Sequence, residues 1–407
     1  MSVSVMNGGA AYPLAGAQIY RNSAWHTIAP TDEVASGGRL YIVGGNNALC
    51  SRGSNESGQL GTGDLLDRYL WTVNQNPYTT GYERLAVVNL FDCVKVVKNN
   101  KIVHSSVIAD GKLYEFGNRY FTGATNQPTL ASAETGWTDV AATARYYADQ
   151  SRYLGYSMGI RNGELYSWGY AVPYSEFASN PLSGRPITQI GALTGWSSVS
   201  CNSHRAAGIC DGKLYTWGLD GQRIGQAGTD SPAQIGSLTD WTYARVTENA
   251  IFAIRAGQLF AVGTNSAGQL GMGDTTDHGN TFTRVGTLTG WTFAGEGIGN
   301  MGFGICDGDL MLWRPANGYV PTAVPSSAGF VKAVHKGSTS NTGINDLYLL
   351  GEDGGLYHLY AGVDWDAVPE PVYVPAIVSN HDNHEWLDIT GDGANNIYGY
   401  LLAIRKS

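Results

Sequence analysis

An all-β chain built as a seven-bladed propeller is the fold class the sequence predicts, and three observations carry the prediction. A short strand motif returns seven times at a spacing near fifty residues, the length of a four-stranded propeller blade. Fifty-five glycines, 24 tyrosines and 11 tryptophans stand against 14% charged residues, the composition of many short strands joined by turns with aromatic side chains supplying buried area. The two ends of the chain hold complementary halves of one repeat.

The strand motif reads along the chain as 37–44 (GGRLYIVG), 110–117 (DGKLYEFG), 162–169 (NGELYSWG), 211–218 (DGKLYTWG), 256–263 (AGQLFAVG), 307–314 (DGDLMLWR) and 353–360 (DGGLYHLY). Its leucines, Leu40, Leu113, Leu165, Leu214, Leu259, Leu310 and Leu356, lie 73, 52, 49, 45, 51 and 46 residues apart, a steady period with one early insertion. A second marker precedes each repeat: an aromatic residue with an aliphatic or small one about three places on, at Phe91, Trp137, Trp196, Trp241, Trp291, Phe330 and Trp386. Three copies share a longer lead, 190–196 (IGALTGW), 235–241 (IGSLTDW) and 285–291 (VGTLTGW). Between the markers runs a third short stretch of small and apolar residues, such as 104–108 (HSSVI) and 204–209 (HRAAGI). Each period therefore holds four strands. No long segment has apolar residues spaced by three and four, so helices are few.

The C-terminus supplies Trp386 and the run 397–404 (IYGYLLAI) and then stops, while the 37–44 strand starts with no complete middle run before it. Joining the two halves makes a seventh blade in which Leu40 lies close to Tyr400 and no sheet edge is left open. On this reading residues 36–407 form one propeller and residues 1–35 an arm outside the repeat. Within the arm, Ile19, Tyr20, Trp25 and Ile28 flank the turn-prone Asn22-Ser23 as a small hairpin. It serves either as an anchor or as a cover strand on the main domain.

Two stretches add a glycine-rich turn after the strand, 55–64 (NESGQLGTGD) and 265–274 (NSAGQLGMGD), with a worn copy at 221–225 (GQRIG). With aromatic-x-x-aliphatic, the His/Ser run and DGxLYxWG, they make the chain resemble the RCC1 family of seven-bladed propellers over roughly residues 37–407. The repeats at Leu113, Leu165, Leu310 and Leu356 lack the GQLG turn, which implies differently built loops on the same fold. The resemblance implies action by protein binding: guanine-nucleotide exchange on a small GTPase, chromatin attachment, ubiquitin-ligase adaptation, or inhibition of a β-lactamase. No functional residue of the family carries over. The hairpin around Asn22 is similar to short "IYRNGAW" hairpins of bacteriophage tail and virion proteins.

Chemistry is sparse. A net charge of -9 without a basic tail speaks against nucleic acid, which needs clustered cations. There is no apolar run of about 18 residues and no basic leader, so neither membrane insertion nor an export signal is expected. Five cysteines without CxxC spacing read as reduced thiols. The cluster His381-Asp382-Asn383-His384-Glu385 has metal-binding side chains, but neighbours on an extended chain point to opposite sides, so a solvated loop is expected and no metal or cofactor. His104 and His204 read as structural histidines, and Asp110, Asp211, Asp307 and Asp353, each before glycine, as turn residues. No P-loop or HExxH occurs, and no enzyme activity is expected.

What remains is aromatic. Tyr78, Tyr82, Tyr146, Tyr147, Tyr153, Tyr156, Tyr170 and Tyr174 lie in long inserts among small polar residues, a mixture suited to binding loops, although core packing claims some of them. The expectation is a non-enzymatic binding or structural module of a bacteriophage particle, its partners other virion subunits and a host surface receptor. A cellular regulator in the cytoplasm, an exchange factor or an enzyme inhibitor, is the alternative.

Overall fold

The computed structural model describes residues 4–7, 10–13, 18–21, 24–27, 40–41, 48–53, 60–66, 68–73, 93–99, 104–109, 111–119, 123–147, 152–169, 185–202, 205–218, 231–247, 249–296, 302–324, 329–336, 346–359, 375–377, 386–390 and 400–405. Among them there is no α-helix, and seven antiparallel sheets of four strands account for most of the described residues. The first sheet holds Cys93–Asn99, His104–Ala109, Lys112–Arg119 and Gly123–Ser132, and the second Trp137–Tyr147, Arg152–Arg161, Glu164–Gly169 and Arg185–Gln189. The third runs from Trp196–Cys201 through Arg205–Cys210 and Lys213–Gly218 to Ala233–Gln234, and the fourth from Trp241–Val246 through Ala250–Arg255 and Gln258–Gly263 to His278–Arg284. Trp291–Glu296, Gly302–Cys306, Asp309–Trp313 and Thr322–Ala323 make the fifth; Phe330–Lys336, Asp346–Gly351, Leu356–Leu359 and Pro375–Ile377 make the sixth.

The seventh sheet is composite. Trp386–Thr390 pairs with Tyr400–Arg405, which pairs with Ala48–Gly53, which pairs with Arg68–Val73. Each sheet touches the next, and the seventh touches both the sixth and the first. The strand that meets the C-terminus is not the one expected: Tyr400 lies opposite Gly53, and Leu40 lies opposite Ile19 in a separate three-stranded sheet. The reason is spacing from the glycine-rich turn. Gly263 ends its strand two residues before Asn265, and the same offset from Asn55 selects Gly53 and not Gly44. The hairpin expected around Asn22 does form in the backbone, with Ile19 opposite His26 and Tyr20 opposite Trp25.

The core lies between sheets. The strand-leading tryptophans Trp137, Trp196, Trp241 and Trp291 are all buried, each in the cluster that joins its sheet to a neighbour. They lie flat on the adjacent strand because that strand has no room for more: a Cβ at Gly159, Gly208 or Gly304 would come within 2.8 Å of the Trp137, Trp196 or Trp291 ring. Removing such an aromatic costs about 3–5 kcal/mol in a packed core.

A repeated pair of backbone hydrogen bonds latches sheet to sheet. The N–H of Trp196 donates to Gly163 O (3.0 Å) and that of Trp291 to Gly257 O (3.0 Å), each from one sheet to the turn of the sheet before. Within each sheet the turn residues Asn162, Asp211 and Asp307 donate to Gly136 O (2.9 Å), Gly195 O (3.0 Å) and Gly290 O (2.9 Å) just ahead of that sheet's own tryptophan, fixing the turn on which the next sheet latches. Gly136, Gly195 and Gly290 sit at φ near +90°, and an added Cβ would fall about 2 Å from the side-chain oxygen of Asn162, Asp211 or Asp307. Repetition of DG and TGW in the sequence is thus two halves of one joint. The fourth sheet exchanges them: Ala256 takes the turn and Asp240 the glycine position, its carboxylate 2.6 Å from Arg255 Nε.

Candidate interaction face

Antiparallel order gives every sheet two unlike ends. The turn between its second and third strands and the link to the next sheet leave from one end, which carries the latches. The connections between first and second strands and between third and fourth leave from the other, where loop length varies. Of the tyrosines proposed from the sequence, Tyr146, Tyr147, Tyr153 and Tyr156 belong to strands that run to this loop end.

Hairpins joining first and second strands mostly stop level with their sheet. Cys201 opposite Ala206 and Val246 opposite Ile251 are the last pairs of the third and fourth sheets, adjoining the ends of the third strands at Gly218 and Gly263. Among the described residues the second sheet extends furthest. Its third strand ends at Gly169 opposite Tyr156, yet the hairpin continues through Ala144 opposite Gly155, Arg145 opposite Leu154, Tyr146 opposite Tyr153 and Tyr147 opposite Arg152. These four further pairs extend about 13 Å at the usual strand rise. Residues 143–147 and 152–155, read from the sequence as part of a binding loop, pair as a two-stranded ribbon.

Tyr156 is not part of this surface. It is fully buried at the base of the ribbon, in the cluster between the second and third sheets, and its hydroxyl donates to the carbonyl of Asn202. Alternation of the strand turns it inward, so it belongs to the core. Tyr78, Tyr82, Tyr170, Tyr174 and Ile28 lie outside the described residues, as do His204 and the 381–385 cluster.

The glycine-rich turns also lie at the loop end. In 265–274, Asn265 is buried and ties the turn together: its Nδ2 donates to Asp274 Oδ1 (3.0 Å), and its Oδ1 accepts from Leu270 N (2.9 Å). The turn leans on the fifth sheet, where Trp313 Nε1 donates to Gln269 O (2.7 Å). Gly268 admits the Tyr319 ring, which a Cβ would meet at 1.9 Å. In 60–66 the turn faces Gln127 of the first sheet and leaves Leu65 and Leu66 57% and 66% exposed. The sequence reading did not single out this pair.

Ionisable groups here and at the latch end behave as structural ones. Burial pushes the Cys201 thiol up to about 12 and, with Asp307 and Asp309 close by, the Cys306 thiol up to about 11. Asp353 accepts from Tyr357 Oη (2.5 Å) and Gly355 N (2.8 Å), which hold its carboxyl below the ordinary range and make it the turn residue expected. Asp211 and Asp307 occupy the left-handed turn position, also as expected.

No protein-family model matches the chain. Among solved structures, it is similar to Prp20p from Saccharomyces cerevisiae, with a TM-score of 0.63 and 15% identity over 90% of this chain and 93% of that one. That structure was described together with the binding of Prp20p to Gsp1p and histones. Human WBSCR16 is similar at a TM-score of 0.64 and 15% identity, over 89% of this chain and 99% of that one. At such identity the likeness concerns fold, and the fold is that of an RCC1-like β-propeller, as the repeats implied.

Proposed function

We propose that the chain is a non-enzymatic, protein-binding propeller whose partner docks at the loop end, with the ribbon 143–155 as the principal contact. The ribbon carries this reading. A two-stranded extension gains nothing from the sheet below it and is marginal by itself in water, so its retention is accounted for by what it touches. Tyrosines on such a scaffold supply contact area at small entropic loss. A variant with residues 144–155 replaced by Asn-Gly, a two-residue turn that closes the hairpin level with its neighbours, tests it. Capture of partners from a lysate of the native host is expected to fall at least tenfold with thermal unfolding unchanged; capture at the full level refutes the reading.

The narrower reading places the propeller in a bacteriophage particle, docked by residues 1–35 through Ile19, Tyr20, Trp25 and Ile28. Its support is the resemblance of the hairpin. A cellular regulator of the RCC1 type is supported by the fold to the same degree. The captured proteins separate the two: virion subunits support the first and a small GTPase the second. Loss of particle incorporation on deleting residues 1–41 tests the arm.

A further inference from the structure

We infer that the chain pairs with a second copy of itself through the outer edge of its fourth sheet, strand His278–Arg284 of one copy running antiparallel to the same strand of the other. The surface lies on the rim of the propeller and not at its loop end, so the inference stands apart from the docking reading above.

The rim is where each sheet keeps one free edge. The first strands of neighbouring sheets touch in an unbroken ring, which makes them the hub and the fourth strands the rim. Propellers protect such edges, and proline is one means, since it removes an outward N–H. Thr129, Ala233, Thr322 and Ala376 occupy the same place in the fourth strands of the first, third, fifth and sixth sheets, opposite Glu115, Thr216, Leu312 and His358. Each follows a proline: Pro128, Pro232, Pro321 or Pro375. In the second sheet Ile187 precedes Thr188, and Pro186 stands one residue further back. The seventh has Trp71 before Thr72, and the fourth has Phe282 before Thr283.

The edge of the fourth sheet is also open in its hydrogen bonding. Val285 N donates to Leu259 O (2.8 Å) and Thr283 lies opposite Ala261, so alternation turns the N–H and C=O of Phe282 and Arg284 away from the sheet. Among the described residues these outward groups have no partner. The carbonyl of Thr281 is occupied, accepting from Thr283 Oγ1 (3.2 Å). Phe282 packs half-buried on Trp241, which explains an apolar side chain there but not a free amide.

What fits this edge follows from its chemistry. The centre, Thr281-Phe282-Thr283, is uncharged, and no lysine, proline or carboxylate interrupts the strand. A twofold axis that sets Phe282 opposite Phe282 gives each outward N–H the carbonyl of its own copy, and each Thr281 a Thr283. Arg284 is held back: its Nη2 donates to Thr287 O (2.8 Å), and two copies stand about 13 Å apart along the strands, beyond the screening length of about 10 Å at 0.1 M salt. Pairing of like with like closes at two copies, whereas the fourth edge on the seventh would run head to tail.

Sedimentation equilibrium and amide exchange of the full chain, from about 1 to about 500 µM, test this. The mass is expected to rise from one chain to two, and exchange of the Phe282 and Arg284 amides to slow at least about threefold over the same range. Phe282→Pro installs the residue of the sister sheets and is expected to raise the dissociation constant at least about tenfold. Thr281→Lys, at an exposed side chain that leaves the packing on Trp241 untouched, is expected to do the same with the melting temperature unchanged, and most strongly at low salt. A single-chain mass throughout, a mass that grows past two chains, a dimer in which both amides exchange as fast as in the monomer, or a dimer that both variants leave intact each overturns the inference. The ribbon replacement is expected to leave this pairing in place, so failure of the docking reading and failure of self-pairing are told apart.

Discussion

Placing aspartate at position 290 probes the joint where the lead-in to the fifth sheet meets that sheet's own turn. Gly290 has φ of 93°, and a Cβ there would stand 1.9 Å from Asp307 Oδ1 and 2.4 Å from its Cγ. In Gly290→Asp, the left-handed backbone costs about 1 kcal/mol. Displacing Asp307 and bringing two carboxylates together adds roughly 1–3 kcal/mol. The single variant is therefore expected to lose about 2–4 kcal/mol. The fourth sheet already contains the remedy, because Asp240 (φ 72°) is matched there with Ala256 and not with an aspartate. Adding Asp307→Ala to Gly290→Asp reproduces that exchange and is expected to return the loss to about 1 kcal/mol, a coupling of roughly 1–3 kcal/mol between the two sites. Urea unfolding of the wild type, both single variants and the double variant gives the cycle. Losses that add to within about 0.5 kcal/mol would show that the turn residue and the glycine are independent and that the latch is not a joint.

The remaining predictions concern buried polar groups. Burial raises the thiols of Cys201, Cys210 and Cys306, so a thiolate-selective reagent at pH 8 is expected to spare all three until urea unfolds the chain, as peptide mass mapping will show. Because the unfolded thiols ionise near pH 8.5 while Cys306 keeps its proton to about 11, stability falls as pH rises across that interval; modification faster than unfolding refutes this. Trp168 Nε1 donates to buried Glu115 (2.7 Å), so Glu115→Leu is expected to cost about 1–3 kcal/mol and Glu115→Gln less. The equivalent position one sheet on is Ser167, where Ser167 Oγ and Trp217 Nε1 are both buried without partners among the described residues. Ser167→Gln is expected to raise the thermal midpoint, and an unchanged or lower one speaks against the equivalence.

The repeat was legible because its signals are local and rigid. Trp137, Trp196, Trp241 and Trp291 each need a flat seat, and the DG and TGW motifs each need left-handed backbone, so both had to recur in sequence. The seventh sheet was legible in principle and misread in register. Leu40-Tyr41-Ile42-Val43-Gly44 matches the strand pattern better than Ala48-Leu49-Cys50-Ser51-Arg52-Gly53, and the two-residue offset from Asn55 that decides between them is visible in the sequence. The docking end was less accessible. Tyrosines at 146, 147, 153 and 156 look alike as letters, and strand alternation together with the position of Gly169 decides that Tyr156 is core while the others lie beyond the sheet. Leu65 and Leu66 carried no signal of their own, since an apolar pair after GD reads as the start of a strand; their exposure follows from how Asp64 closes the turn.

Building one sheet from both chain ends sets a timetable for synthesis. Ala48–Gly53 leaves the ribosome about 350 residues before Tyr400–Arg405, its neighbour in the sheet. At about 5–20 residues per second it waits roughly 20–70 s with a bare hydrogen-bonding edge. During that interval the nascent chain is open to strand exchange with other chains. Slow translation, or truncation before residue 400, therefore endangers solubility more than an equal disturbance in the middle sheets, whose four strands emerge together.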